Sequence, residues 1–262
     1  MKLTTQIIQD KKKKEKIVAL TAYDFPFARM LDESGVDIVL VGDSLGMVIL
    51  GYDTTLPVTM QDMLHHTKAV SRAVKHALVV ADMPYRSYET PKDALKNAKA
   101  FVEEAGADAV KLEGGKKVGD QVKALVDADI RVMGHVGMTP QSVKELGGYR
   151  VQGRNEKDAR VIKEDAQLLD RLGVFSVVLE CVPSSLAEVL TRELKCPTIG
   201  IGAGPKTDGQ ILVLHDMLGI QSKVHPKFIR HYASLEDEVK QAVAHYRSDV
   251  LKGYFPSKAE SF

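Results

Sequence analysis

Eight short apolar runs, each parted from the next by polar sequence that mostly carries helical periodicity, constrain this chain more than any other feature. They are Ile17–Thr21, Asp37–Val41, Ala77–Ala81, Asp108–Leu112, Ile130–Gly134, Val174–Leu179, Pro197–Ile201 and Gln210–Leu214. Continuous rather than alternating apolar character marks strands buried on both faces, as in a parallel sheet covered by helices. Helix signals fall between the runs. Thr59-Met-Gln-Asp62 has the form of a capping box opening a helix toward Lys75, Thr90-Pro91 starts another, and Gly173 closes a long one from Glu156 to Leu172. Strands alternating with helices predict βαβ units. Eight of them in 262 residues favour an α/β fold of the closed (β/α)8 TIM-barrel type over an open doubly wound sheet. No G-x-G-x-x-G follows the first run, which also weakens a dinucleotide-binding fold. Too few residues separate the last two runs for a full helix. The expectation is a single domain over 1–262. A helix capped by Thr4 or Thr5 precedes a barrel at about 17–220, and a helical extension at about 221–262 includes a helix from Leu235 to Arg247. Lys11–Lys14 reads as a solvated helix end rather than a targeting patch.

Charge excludes several functions. With 36 basic and 35 acidic residues the net charge is +1, so no field draws the chain to nucleic acid or an anionic membrane. Two cysteines make no disulfide framework. No run approaches the ~20 apolar residues of a membrane span, and Met1–Asp10 lacks the apolar core of a secretory leader. A soluble, cytoplasmic protein is expected.

The chemistry is read from strand ends. Four apolar runs deliver a carboxylate at or just past their C-terminal end: Asp43, Asp82, Glu113 and Glu180. In a (β/α)8 barrel these ends converge on one mouth, together with His135, and with Lys111 one layer below Glu113. Carboxylates crowded in an apolar-walled mouth repel unless a cation joins them. Oxygen donors suit a hard ion, and magnesium is the natural candidate. Singly, each residue has a plainer use. Asp43 could cap a turn, Asp82 could steady the turn into Met83-Pro84, and Glu113 could be a solvated loop residue before two glycines. His135 could be a core histidine or a catalyst. Lys111, within a buried strand, needs a partner. Cys181 faces away from Glu180 and reads as packing. Gly200-Ile-Gly-Ala-Gly204 fits either a phosphate cradle or close packing.

Blocks around these residues resemble one family. They are Thr21-Ala-Tyr-Asp-Phe25, Val41-Gly-Asp-Ser-Leu-Gly46, Thr55-Leu-Pro-Val-Thr59, Ala81-Asp-Met-Pro84, Val110-Lys-Leu-Glu-Gly114, Gly134-His-Val-Gly-Met-Thr-Pro-Gln141, Val178-Leu-Glu180, Ile199-Gly-Ile-Gly-Ala-Gly204 and Leu212-Val-Leu-His-Asp216. Spread over most of the chain, they are similar to ketopantoate hydroxymethyltransferases. The resemblance implies a magnesium-dependent barrel, assembled as a homo-decamer, in pantothenate synthesis. Such an enzyme moves a one-carbon unit from 5,10-methylenetetrahydrofolate to 3-methyl-2-oxobutanoate, giving 2-dehydropantoate. Asp43, Asp82 and Glu113 match the metal-associated carboxylates. Ser44 and Lys111 match oxo-acid contacts, which Asp43 and Asp82 also line, and Glu180 matches the proton acceptor. His135 is placed with the substrate-contacting residues. The nearest rival reading is a metal-dependent aldolase or lyase of the phosphoenolpyruvate/pyruvate barrel type. A metal-free aldolase with Lys111 as Schiff-base lysine is a second, and a barrel that only binds a ligand or scaffolds a ring is a third.

Overall fold

The computed structural model describes residues 1–220 and 226–262. Among them, eight parallel strands close into a barrel in sequence order. They are β1 (Ile17–Thr21), β2 (Ile38–Val41), β3 (Leu78–Asp82), β4 (Ala109–Glu113), β5 (Val132–Gly137), β6 (Ser176–Glu180), β7 (Thr198–Ile201) and β8 (Gly209–Leu212), with β8 pairing back onto β1. The helices are α1 (Thr5–Asp10), α2 (Phe25–Glu33), α3 (Leu45–Val48), α4 (Met60–Ala73), α5 (Pro91–Lys99), α6 (Gly119–Asp127), α7 (Glu156–Leu172), α8 (Ser184–Glu193), α9 (Leu214–Leu218) and α10 (Leu235–Lys252). The expected capping box forms: Thr59 accepts from the Asp62 amide while the Asp62 carboxylate accepts from Thr59 N–H. As anticipated, no helix fits between β7 and β8.

Two compact units are present, Met1–Val213 and Leu214–Phe262. The second contains α10, which runs beyond the expected Arg247 and ends at Gly253 with φ +71°. The expected start of the extension, residue 221, lies outside the described residues.

Alternate residues of each strand fill the barrel, for example Ile17 and Ala19, Ile38 and Leu40, and Leu78 and Val80. Ile8 of α1 belongs to the same cluster and is fully buried. Lys13 and Lys14 are exposed, as predicted for a solvated helix end, whereas Lys11 and Lys12 are part-buried. Lys11 donates to Asp37 at 2.7 Å, and Lys12 donates to Asp208 at 2.7 Å and to Thr191 O at 2.9 Å. A helix that buries Ile8 against the strand starts carries its following lysines onto the acids there.

Those acids also join strands. Asp37, just before β2, accepts from Val18 N–H of β1. Asp108 before β4 accepts from Val79 N–H of β3, and Asp208 before β8 accepts from Thr198 N–H of β7. Each satisfies a strand-start donor that would otherwise be orphaned. Charge thus marks both ends of the barrel, and only the C-terminal ends carry the predicted site.

Two boundaries shift for a physical reason. β5 begins later than expected, because Asp129 turns the chain at φ +60°, and continues to Gly137 because His135 is paired on both sides, with Glu113 of β4 and Val178 of β6. His135 thus lies within a strand. The segment after Asp43, expected as a loop from Gly46 to Pro57, opens with the single turn α3.

Candidate active site at the C-terminal mouth of the barrel

Register places the charges beside one another. Asp82 pairs with Lys111, and Glu113 pairs with His135, so each couple projects to one face. Gly137, at φ +99°, pairs with Glu180; a Cβ there would collide with the Glu180 carbonyl. Only glycine lets β5 and β6 approach this closely while the chain turns through a positive φ.

The resulting cluster is buried. Lys111 Nζ donates to both Asp82 oxygens at 2.7 Å and lies 3.9 Å from Glu113 Oε1. His135 stands between two carboxylates, Nδ1 3.5 Å from Glu113 Oε1 and Nε2 3.2 Å from Glu180 Oε2. Both contacts lie within ion-pair range, and neither is aligned as a hydrogen bond. Asp43 reaches the group through its backbone N–H, 3.5 Å from Asp82 Oδ2, and through Gln141, whose amide donates to Asp43 Oδ2 at 2.8 Å. Gln141 N–H also donates to Glu113 Oε2 at 3.0 Å. Ser44 lies at the edge, 2.8 Å from the Tyr23 hydroxyl. Glu180 is the most open of the four acids, its side chain 18% exposed against 3% for Asp82 and Glu113.

Protonation follows from burial and neighbours. Burial, then Asp82 and Glu113, push Asp43 well above the usual carboxylate range. Burial also raises Asp82, although Lys111 opposes it. Burial would raise Glu113 too, but His135, Lys111 and the Gln141 amide outweigh it and hold that acid low. Lys111 resists burial because Asp82, Glu113 and Asp43 surround it; its ammonium is held above the usual lysine value. His135 is drawn down by burial and by Lys111, yet Glu113 and Glu180 carry it up to about 9. Tyr88 is raised well above its usual value by burial and by Glu113 and Asp82, so its hydroxyl stays a donor. As the side chains stand, no three His, Cys, Asp or Glu residues among those described are arranged to hold one metal ion. Asp82 has turned both oxygens to Lys111 instead.

The other candidates resolve differently. Cys181, at φ +47°, gives its N–H to Ile201 O and accepts from Gln152 N–H, and burial pushes its thiol up to about 12. That is packing, as expected, and not an activated nucleophile. In the Gly200–Gly204 stretch a Cβ on Gly200 would lie 2.7 Å from Thr207 Oγ1, so close packing alone accounts for that glycine. Concavities of about 400 and 280 Å³ lie to one side, lined by Leu56, Tyr85 and Arg86, and only the smaller touches the cluster, through Gln141. The charged side chains, rather than these hollows, locate the chemistry.

The sequence alone assigned no role to Gln141, Tyr88 or Tyr23, although Gln141 and Tyr23 lie within blocks that carry the resemblance. Gln141 sits in a single 3-10 turn after Thr139-Pro140, and its partners lie 28, 58 and 98 residues away. Its position behind a proline turn at a strand end, and its place at the end of the block Gly134–Gln141 that carries the resemblance, were the available signals.

A model of the family described as ketopantoate hydroxymethyltransferase matches residues 2–258. The chain belongs to the ketopantoate hydroxymethyltransferase family. It is 54% identical over 263 residues to the 3-methyl-2-oxobutanoate hydroxymethyltransferase of Syntrophus aciditrophicus, covering 100% of this chain and 97% of that one. The relative of the same name from Syntrophomonas wolfei is also 54% identical, with 100% and 95% covered. Among solved structures, phosphonopyruvate hydrolase in complex with oxalate and magnesium aligns with a TM-score of 0.66 at 15% identity, covering 98% of this chain and 93% of that one. 2,3-Dimethylmalate lyase, a member of the PEP mutase/isocitrate lyase superfamily, aligns at 0.61 and 16%, with 100% and 93% covered. These likenesses bear on the fold alone. As a member of the ketopantoate hydroxymethyltransferase family the protein is an enzyme, a transferase of pantothenate synthesis. No helix among the described residues is long and apolar enough to cross a membrane.

Proposed function

We propose that the enzyme transfers a hydroxymethyl group from 5,10-methylenetetrahydrofolate to 3-methyl-2-oxobutanoate, giving 2-dehydropantoate. One observation carries this reading: three buried carboxylates, Asp43, Asp82 and Glu113, converge at the strand ends beside Lys111 and leave Glu113 Oε1 without a hydrogen bond. Three converging oxygen donors, one of them orphaned, fit a hard divalent cation, with Asp82 rotating to share Lys111. Magnesium held by Asp43, Asp82 and Glu113 would supply Lewis acidity toward the charge that develops on the ketone oxygen of the substrate.

The side chains would do the rest. Lys111 stays charged among its acids and adds positive potential beside that oxygen. Ser44, steadied by the Tyr23 hydroxyl, offers a polar contact to the carboxylate end of the oxo acid. Glu180, at the open side of the cluster, accepts the proton from the carbon next to the ketone. The methylene exchanges both of its carbon–nitrogen bonds to the folate, one for a bond to that carbon and one for a bond to a water oxygen, and the two folate nitrogens take up the proton lost by the substrate carbon and one proton from the water. His135, between Glu113 and Glu180, holds the base in place and neighbours the substrate. Tyr149, whose hydroxyl lies 4.0 Å from Met47 Sδ, connects the segment after β5 with α3, and their closure would limit water around the reacting carbon.

A Schiff-base role for Lys111 is disfavoured, because that chemistry needs a neutral amine and the neighbours keep this one charged. We further propose one functional domain, with the barrel at about 17–220 and its extension, working as a cytoplasmic homo-decamer. Sedimentation at ten times the 28.8 kDa chain mass tests the assembly. The activity test is an assay with both substrates, with and without EDTA. The reading expects 2-dehydropantoate only when folate and magnesium are both present. Turnover of the oxo acid without folate would instead favour the aldolase or lyase reading.

A further inference from the structure

Gln141 is buried, and both ends of its side-chain amide and its backbone N–H are engaged. Its Nε2 donates to Asp43 Oδ2 at 2.8 Å and to Met83 O at 2.9 Å, and its backbone N–H donates to Glu113 Oε2 at 3.0 Å. Its Oε1 accepts from the Tyr88 hydroxyl at 2.5 Å. Both Nε2 contacts end on pure acceptors, so the amide can face only one way. Tyr88 is fixed in turn, since its hydroxyl lies 3.4 Å from Glu113 N–H, which donates to it, and its carbonyl accepts from Gln121.

We infer that Gln141, locked by Tyr88, is a positioning residue that selects which oxygens of Asp43 and Glu113 face the divalent ion. The inference rests on the metal reading given above. With Oδ2 of Asp43 and Oε2 of Glu113 engaged by Gln141, the oxygens left to the ion are Asp43 Oδ1 and Glu113 Oε1. The second of these is the buried oxygen that lacks a hydrogen bond. A neutral amide suits the task. It donates to two carboxyl groups without adding a charge that would compete with the cation. A carboxylate held by one oxygen has lost most of its freedom to rotate, so the ion meets preset ligands.

The test is calorimetric titration of magnesium into the metal-free full-length protein without substrate, for the wild type, Gln141→Met, Tyr88→Phe and the double variant Asp43→Asn/Glu113→Gln. Gln141→Met should weaken magnesium binding tenfold to a hundredfold, the range typical of lost outer-sphere partners. Tyr88→Phe leaves Gln141 in place but removes the hydroxyl that holds its Oε1, loosening the amide, and should weaken binding by a smaller factor of threefold or more. A residue that only braces the fold would lower thermal stability and leave the ion's affinity alone. Affinities within twofold of wild type in both variants would overturn the inference while the metal site stands. If Gln141→Met does not fold, Tyr88→Phe decides by the same criterion. Equal binding by wild type and the double variant would overturn the metal reading and this inference together.

Discussion

Lys111 Nζ grips Asp82 by both carboxylate oxygens at 2.7 Å, across two adjacent strands and out of reach of solvent. The pair is the electrostatic centre of the mouth. Removing the ammonium, as in Lys111→Met, would leave Asp43, Asp82 and Glu113 buried with no ammonium among them. Breaking such an arrangement costs ~3–5 kcal/mol near neutral pH. The sign with pH follows from Asp43 and Asp82, whose pKa values are raised in the folded state. Raised carboxylates cost stability as pH climbs from the unfolded value through the folded one. The gap between variant and wild type should therefore shrink as pH falls toward the ordinary carboxylate range. Urea unfolding from neutral pH down toward the ordinary carboxylate range checks it.

Glu180→Gln keeps the shape of the side chain and removes the base. Turnover should fall by about 10²–10⁴-fold, the usual contribution of a positioned proton acceptor. Because Glu180 is the most open acid of the cluster, magnesium affinity and thermal stability should change little. Steady-state kinetics beside calorimetry separates these effects. Loss of magnesium binding in this variant would move Glu180 from base to ligand.

Asp32 ties α2 to the start of β3 by accepting from the backbone N–H groups of Lys75, His76 and Ala77. Burial opposes its charge, but these donors outweigh burial and lower its pKa. A lowered carboxylate stabilises the fold above its unfolded pKa, and that contribution disappears as pH falls through the lower folded value. Asp32→Ala should cost about 1.5–3 kcal/mol at pH 7, in line with hydrogen bonds to a charged group. The difference from wild type should diminish below about pH 4. Chemical denaturation at pH 7 and pH 3.5 measures both.

At the opposite end of the barrel, Ile8→Ala empties a fully buried site among strand residues and should cost about 2–5 kcal/mol. Lys12→Met removes the ammonium from Asp208, whose carboxylate also holds Thr198 N–H, and should destabilise the protein without altering magnesium affinity. Thermal melts with and without magnesium distinguish the two ends.

The barrel was legible because strands covered on both faces, such as Val39–Val41 and Val79–Ala81, read as unbroken apolar runs. The acids of the site stood out for the same reason: Asp82, Glu113 and Glu180 interrupt those runs where a core residue would otherwise sit. His135 was placed just past its strand because Gly134 looks like an ending, whereas pairing with β4 and β6 carries the strand through it. Gln141 and Tyr88 stayed hidden, since their meaning depends on hydrogen bonds to residues 25–98 positions away, which exist only once the barrel closes. The lysines at 11 and 12 misled for a related reason. A basic run looks solvated until its partners Asp37 and Asp208 are brought beneath it.

The most direct test of the account is exchange of the C3 proton of 3-methyl-2-oxobutanoate for deuterium, followed by proton NMR in D2O without folate. The account predicts rapid exchange with magnesium, loss of exchange in EDTA with recovery on re-adding the ion, and no exchange in Glu180→Gln. Undiminished exchange in EDTA, or in a variant lacking Asp43, Asp82 and Glu113, would contradict it.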